Sequence, residues 1–201
     1  MPLIGEDCDC QVLFGADSIY LRPLTADGSP TEEGWYAFDC PVTVGMTGDV
    51  KDGEKFELEC GDKLKNVIQT ADQLIGATIA LTLGCKNGEI EFILGGSVGS
   101  VTYDAASPTC AIGYCVPTLA EQAAAVPYEM RVYEKEYEQS NIVGYCGWHF
   151  YMCLPSYVSD SANQKEYNTP EFEITATENT AYNGGKGVYC WKIVAAPGDD
   201  I

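Results

Sequence analysis

The segment between residues 55 and 96 constrains the fold of this chain more than any other part of the sequence. In residues 55–60 and 76–84, apolar side chains alternate with polar ones, which is the period of a β-strand with one buried face. After Asn87 the apolar residues fall at helical spacing, Asn87 can cap the first turn, and two glycines at 95–96 can end the helix. The segment therefore predicts a scaffold of strands followed by a short helix, and it contains no pattern typical of a catalytic site.

Alternating and apolar runs elsewhere in the chain predict further strands. Gly15 interrupts the first run and predicts a bulge, and Pro41 favours a strand at the edge of a sheet. Thr118 and Glu121 have the spacing of a capping box before a short helical segment. The predicted strands cover residues 10–24, 36–44, 64–68, 97–104, 127–140, 146–156, 166–180 and 188–194.

These elements indicate a mainly β (α+β) fold, a β-sandwich or partial barrel with one short helix packed on it. The sequence has no internal repeat and no linker long enough to divide it, so residues 1–201 are predicted to form one domain. We expect residues 1–10 to be an N-terminal tail or arm, residues 45–55 a flexible hairpin tip, and residues 196–201 a C-terminal tail.

The charge of the chain restricts its partners. Its formal net charge is -19, which disfavours tight contact with nucleic acid or with anionic lipid. The first ten residues lack the basic start and apolar run of a signal peptide, and no apolar stretch approaches the length that spans a bilayer. We therefore expect the chain to fold in a reducing cytoplasm and to have no membrane partner.

The ten cysteines leave several interpretations open. The close pairs, Cys8 with Cys10 and Cys110 with Cys115, do not have the paired short spacings of zinc sites. Most other cysteines fall at core positions of predicted strands, so buried thiols are favoured, with a metal site or a disulfide as the alternatives. The single histidine, His149, lies in an apolar run and is interpreted as a strand residue rather than a ligand or a base.

The sequence contains no recognised catalytic motif. It has no phosphate-binding loop of the G-x-x-x-x-G-K-[ST] type, no G-x-S-x-G elbow and no H-E-x-x-H pair. Acidic residues are too frequent for their pairing to be informative. We therefore predict that the chain is not an enzyme, with no catalytic residue, no metal and no cofactor.

The order of elements resembles that of the major tail tube proteins of long-tailed bacteriophages, both siphovirus-like and myovirus-like. The resemblance rests on strand, Gly-Asp turn, strand, alternating strand and a short helix that ends on two glycines, within residues 55–96. It continues through residues 113–119 and the long strand at 127–138. A closing aromatic strand, acid-alternating strand and Asn-Gly turn extend it to about residue 195, and it does not include the first fifty residues or the cysteines.

This resemblance implies a tail-tube-like fold and a structural role in the virion tail, for a protein made in the host cytoplasm. Six copies would form a ring whose inner sheets join into one barrel, and the rings would stack into a tube. Double-stranded DNA would pass through the tube during genome delivery without tight binding. The implied partners are other copies of the chain, a tape measure protein, and tail terminator or baseplate proteins.

Two sets of residues follow as site predictions. The acidic and polar faces of the alternating strands would line an acidic bore that repels DNA phosphates. The expected hairpin tip would contact the next subunit or the next ring. The candidate bore-lining residues are Glu171, Glu173, Thr175, Thr177, Glu57 and Glu59, and the candidate inter-subunit residues are Gly45, Asp49, Lys51, Asp52 and Lys55.

Other functions also fit the composition. A capsid decoration protein, or another β-sandwich binding module of a virion, would have the same β content and acidity. It would bind a foreign lattice, whereas a tube subunit assembles with itself. A cysteine-rich metal or disulfide domain is a third interpretation, and an enzyme is the fourth.

Overall fold

A computed structural model describes residues 12–32, 34–39, 41–53, 55–60, 63–138, 140–159, 169–182 and 184–201. Within these ranges the chain forms twelve β-strands and two short α-helices. In chain order they are β1 (Val12–Pro23), β2 (Tyr36–Phe38), β3 (Pro41–Lys51), β4 (Lys55–Cys60), β5 (Lys63–Gln69), β6 (Gln73–Leu83), α1 (Gly88–Leu94), β7 (Ser100–Asp104), β8 (Ser107–Cys115), α2 (Leu119–Gln122), β9 (Tyr128–Glu138), β10 (Asn141–Cys153), β11 (Glu171–Ala176) and β12 (Tyr189–Val194).

Eight strands form one curled sheet. Its order is β2-β1-β9-β10-β11-β6-β3, and β12 also pairs with β10. The strands β4 and β5 form a separate two-stranded sheet, as do β7 and β8. All pairings between named strands are antiparallel. The predicted class, mainly β with a short helix packed on the sheet, is therefore confirmed.

The two outermost strands of the sheet, β2 and β3, are neighbours in the chain. Only residues 39–40 separate them, yet β2 pairs with β1 and β3 pairs with β6. This link brings the two ends of the sheet together, and β1 and β3 approach within 8 Å between Cα atoms. Because β1 and β3 share no ladder in the described residues, the sheet is a partial barrel rather than a closed one. The single strand predicted over residues 36–44 is thus two strands, with Pro41 in the edge strand as expected.

The inner face of the curled sheet holds the core, and α1 packs against it. Ile90, Ile93 and Leu94 on α1 are buried in the same cluster as the inward residues of β1, β6, β9 and β11. Asn87 starts the helix because its Oδ1 accepts hydrogen bonds from the backbone N–H groups of Glu89 and Ile90. Gly96 follows the helix with φ of +83°, and a β-carbon there would lie 2.7 Å from Pro155. The predicted helix and its two caps are confirmed.

The predicted hairpin tip at residues 45–55 is wrong. Residues 45–51 belong to β3, and their backbone pairs with β6 in a register from Pro41 opposite Leu83 to Lys51 opposite Gln73. The hairpin that leaves the body of the protein is instead β4–β5, immediately after this strand. Residue 54 and the expected N-terminal arm at residues 1–10 lie outside the described residues.

Two elements in the Pro- and Ala-rich part of the chain complete the fold. The strand β8 at Ser107–Cys115 was not expected from the sequence, and it pairs with β7. The capping box predicted at Thr118 and Glu121 is confirmed, because Thr118 accepts from the Glu121 N–H while the Glu121 carboxylate accepts from the Thr118 N–H. It starts the short helix α2. No helix in the described part of the chain is both long and apolar enough to cross a bilayer.

Candidate functional site

The outer face of β3, β6 and β11 is a continuous polar surface. We call it the threonine face, after the residue type that recurs on all three strands. Register places Glu171 opposite Thr82, Glu173 opposite Ala80 and Thr175 opposite Thr78, and β3 continues the rows beyond β6. The described members are Thr43, Gly45, Thr47, Thr78, Ala80, Thr82, Glu171, Glu173 and Thr175.

Strict alternation along β11 produces this face. Phe172, Ile174 and Ala176 are buried in the core, while the residues between them are exposed. Glu171, Glu173 and Thr175 therefore lie on the solvent side, as the alternation predicted. Thr177 lies beyond the end of the strand and is half-buried, with its N–H bonded to the Met152 carbonyl oxygen at 2.9 Å.

Most of the other predicted site residues lie away from the threonine face. Glu57 and Glu59 lie on β4, in the separate two-stranded sheet, where only their backbone is described. Lys55 begins the same strand, and Asp52 precedes it. Gly45 belongs to the face because it lies on β3 beside Ala80, and Asp49 adjoins the face, opposite Gly76 on β6.

Asp49 and Lys51 lie toward the end of β3 rather than in a loop. The Thr78 hydroxyl donates to the Asp49 carboxylate at 3.3 Å, so this acid is tied to the neighbouring strand. At the start of the β4–β5 hairpin, the Gly53 N–H donates to Asp72 Oδ1 at 2.8 Å. The five candidate inter-subunit residues therefore extend along β3 and into the base of the hairpin.

A buried group of charged residues on the outer face of β1, β9 and β10 was not predicted. We call it the Glu129 cluster. The sequence alternates along β9 in a way that usually gives one buried and one solvent-facing side, but the first six residues of this strand are all buried. The cluster comprises Arg22, Trp35, Glu129, Arg131 and His149.

Glu129 is the centre of the cluster and is completely buried. Its Oε1 accepts hydrogen bonds from Arg22 Nε at 2.9 Å and from Arg22 Nη2 at 2.5 Å. Its Oε2 accepts from His149 Nε2 at 2.9 Å. Both carboxylate oxygens are thus occupied, as a buried charge requires.

Aromatic rings cover the cluster. The Trp35 ring lies 4.7 Å from Arg22 Cζ and 4.3 Å from Arg131 Cζ, which are cation–π distances. The Tyr151 ring lies 4.2 Å from that of His149. The covering residue Trp35 comes from the segment before β2, which is remote in sequence from β9. Glu129 itself has no surface exposed to solvent.

His149 is neutral in this setting. Because a carboxylate can only accept, Nε2 carries the proton, and the buried Nδ1 has no hydrogen-bond partner among the described residues. Burial lowers the pKa of His149 below its ordinary value of 6.5, and the nearby Arg131 and Arg22 act in the same direction against the opposing effect of Glu129. The interpretation of His149 as a strand residue is confirmed, since it lies within β10.

We expect the stability of the protein to fall on mild acidification because of His149. In the unfolded chain this group titrates near its ordinary pKa of about 6.5, so the unfolded state takes up the proton first as the pH falls. The stabilisation is therefore complete above about pH 6.5 and is lost as the pH drops through the lowered folded-state pKa. Urea unfolding of the wild type and of His149→Gln between about pH 7.5 and 5.5 measures this effect. The wild type should lose more stability than the variant, and parallel pH profiles would contradict the assignment.

The described cysteines divide between buried and exposed thiols. Cys146 and Cys153 are buried, Cys190 is half-buried, and Cys85 and Cys115 are exposed. Burial raises the pKa of Cys146 to about 11 and also raises the pKa of Cys153. In the described residues, no group of three or more His, Cys, Asp or Glu side chains is placed to hold a metal ion.

Comparison of the sequence with protein-family models and with curated proteins finds no match. Among solved structures, the chain is similar to the tube-terminating cap of the anti-feeding prophage, determined by cryo-electron microscopy. The TM-score is 0.41 with 10% sequence identity, and the alignment covers 96% of this chain and 100% of the cap chain.

Proposed function

We propose that this chain is a structural subunit of a phage-tail-like tube. Six copies form a ring, rings stack, and the threonine face of each copy lines the bore through which double-stranded DNA passes. The observation that carries the proposal is the threonine face itself, a solvent-exposed outer side of three adjacent strands whose inner side is core. The resemblance of the element order to tail tube proteins points in the same direction.

The chemistry of the threonine face is suited to letting DNA pass rather than to binding it. Its members are small or polar, and its exposed charges, on Glu171 and Glu173, are negative. No Lys or Arg of the described chain pairs with either carboxylate. A wall of this kind repels phosphates and offers no cation that could form a phosphate contact, so DNA has no strong binding position to leave.

The edge of the sheet offers a route to assembly. Among the described strands, β3 has one hydrogen-bonded neighbour, β6; β1 approaches it within 8 Å between Cα atoms but forms no ladder with it, so the other edge of β3 is unpaired. Open edges favour pairing with further strands, and a closed ring removes them. In the proposed ring, β3 of each copy faces the sheet of the next copy, which continues the threonine face around the bore.

Assembly must overcome repulsion between highly charged copies. Each chain carries a formal charge of -19, and salt screens such repulsion over about 8–10 Å near physiological ionic strength. We therefore expect ring formation to increase with salt and with protein concentration. The tape measure protein and the tail terminator or baseplate proteins are further proposed partners, at the interior and the ends of the tube.

Electron microscopy of the concentrated protein at low and high salt tests this function. We expect six-fold rings and stacked tubes, and a reconstruction with Glu171 and Glu173 facing the bore. Monomers alone under all conditions would contradict a tube subunit. Binding to a preformed capsid lattice without self-assembly would instead identify a decoration protein.

A further inference from the structure

The last four residues of the chain fold back over the outer face of β9 and β10, beside the Glu129 cluster. The Asp199 carbonyl oxygen accepts from the Tyr133 hydroxyl at 2.9 Å and from Arg131 Nη1 at 3.5 Å. Arg131 Nη2 also donates to Asp200 Oδ1 at 3.1 Å. We call residues 198–201 the tail strap.

Gly147 provides a slot for the apolar end of the strap. Register places Gly147 opposite Tyr133, and a β-carbon at position 147 would lie 2.6 Å from Cδ1 of Ile201. Ile201 therefore occupies space that any other residue at position 147 would fill. Lys192, which also pairs with Gly147, donates from Nζ to the Asp200 carbonyl oxygen at 3.1 Å.

The surface under the strap thus has a positively charged part and an apolar slot. Arg131 and Lys192 present positive charge to the acidic pair Asp199 and Asp200, and the slot at Gly147 takes the side chain of Ile201. Arg131 is 6% exposed, and its Nε has no partner among the described residues. A buried guanidinium with one unpaired N–H donor differs from a solvated surface charge, because it can still form a hydrogen bond to a bound group.

We propose that this surface is a binding site for an acidic segment followed by an apolar residue, and that in an assembly it takes residues 198–201 of a neighbouring copy in place of its own. The exchange rests on the proposed self-assembly. Every contact of the strap can be made equally by the same residues of another copy, so exchange changes few interaction energies. Adjacent copies in a ring also present the segment at high effective concentration.

The attachment of the strap favours displacement. The Asp200 side chain is 97% exposed, so its ion pair with Arg131 is open to solvent on one side. The strap is joined to β12 through residues 195–197, where the Asp199 N–H donates to the Ala196 carbonyl oxygen at 3.3 Å and the Ala196 N–H donates to Asp199 Oδ2 at 3.0 Å. Opening this turn releases the strap without breaking the sheet.

Peptide binding tests the site without requiring assembly. The receptor is the full chain with Asp200→Lys and Ile201→Gly, which weakens its own strap, and the probe is a fluorescent, C-terminally amidated peptide of residues 195–201. We expect saturable binding to this variant, at least tenfold weaker binding to the wild type, and loss of binding when Gly147→Val is added to the variant. A probe that carries the same two substitutions should not bind. No binding to a variant that retains wild-type circular dichroism would overturn the proposed site.

Isotope mixing tests the exchange between copies. Assemblies are grown from equal amounts of light and 15N-labelled wild-type chains and treated with a carbodiimide, to join the Lys192 amine, which lies at the Asp200 backbone, to a carboxylate of the strap, Asp199 or Asp200. Monomers should give cross-links within one isotope only, whereas assemblies should give mixed pairs as well. Assemblies with cross-links of one isotope only would overturn the exchange. Absence of any assembly would count against the proposed function. The peptide measurement would still test whether the surface under the strap is a binding site.

Discussion

Replacing Glu129 with alanine is expected to lower the free energy of unfolding by about 3–5 kcal/mol, the cost of leaving buried charge without its partner. Glu129 is the only carboxylate that contacts both Arg22 and His149 in the described structure, and it is completely buried. Without it, the guanidinium of Arg22 and the N–H of His149 lose their acceptor in a site that admits little water. The guanidinium groups of Arg22 and Arg131, both at the Trp35 ring, would also repel each other once Glu129 no longer neutralises Arg22.

Urea unfolding at neutral pH, followed by Trp fluorescence and by circular dichroism, measures this loss. Glu173→Ala is the matched control, because it removes the same side chain from an exposed position on β11. We expect the control to change stability by no more than about 0.5 kcal/mol. If both variants were equally stable, the Glu129 cluster would not contribute to the fold in the way that its contacts indicate.

Local sequence patterns correctly predicted the features that depend only on residues within one strand or helix. The alternation in β6 and β11, the caps of α1 and the capping box of α2 depend on residues close in sequence, and each agrees with the structure. The segment with Gly45 and Gly48 had the composition of a loop. It is a strand because β6 supplies a ladder of hydrogen bonds, and a single-sequence pattern does not contain that partner.

The Glu129 cluster was missed for a related reason. Glu129, Arg131 and Tyr133 alternate with apolar residues along β9, a pattern that usually indicates a solvated face. They are buried because Trp35 and the tail strap, which are distant in sequence, cover them. The exposed side of β11 was predictable because no described segment covers it in this way, so the alternation alone decided which of its side chains reach solvent.

Substitutions on the two faces of β11 are expected to differ strongly in their effect on stability. Ile174→Ala is expected to reduce the free energy of unfolding by about 2–5 kcal/mol, because truncation leaves a cavity in a packed core. Ile174 is 0% exposed and lies opposite Ile79 on β6. Thr175→Ala, one residue away on the threonine face, should change stability by only about 0.5 kcal/mol or less.

Denaturant titration of both variants tests the stability difference, and electron microscopy of the Thr175 variant at high concentration should show the same assemblies as the wild type. A larger loss for Thr175→Ala than for Ile174→Ala would reverse the assignment of inner and outer faces, and with it the proposed wall of the bore.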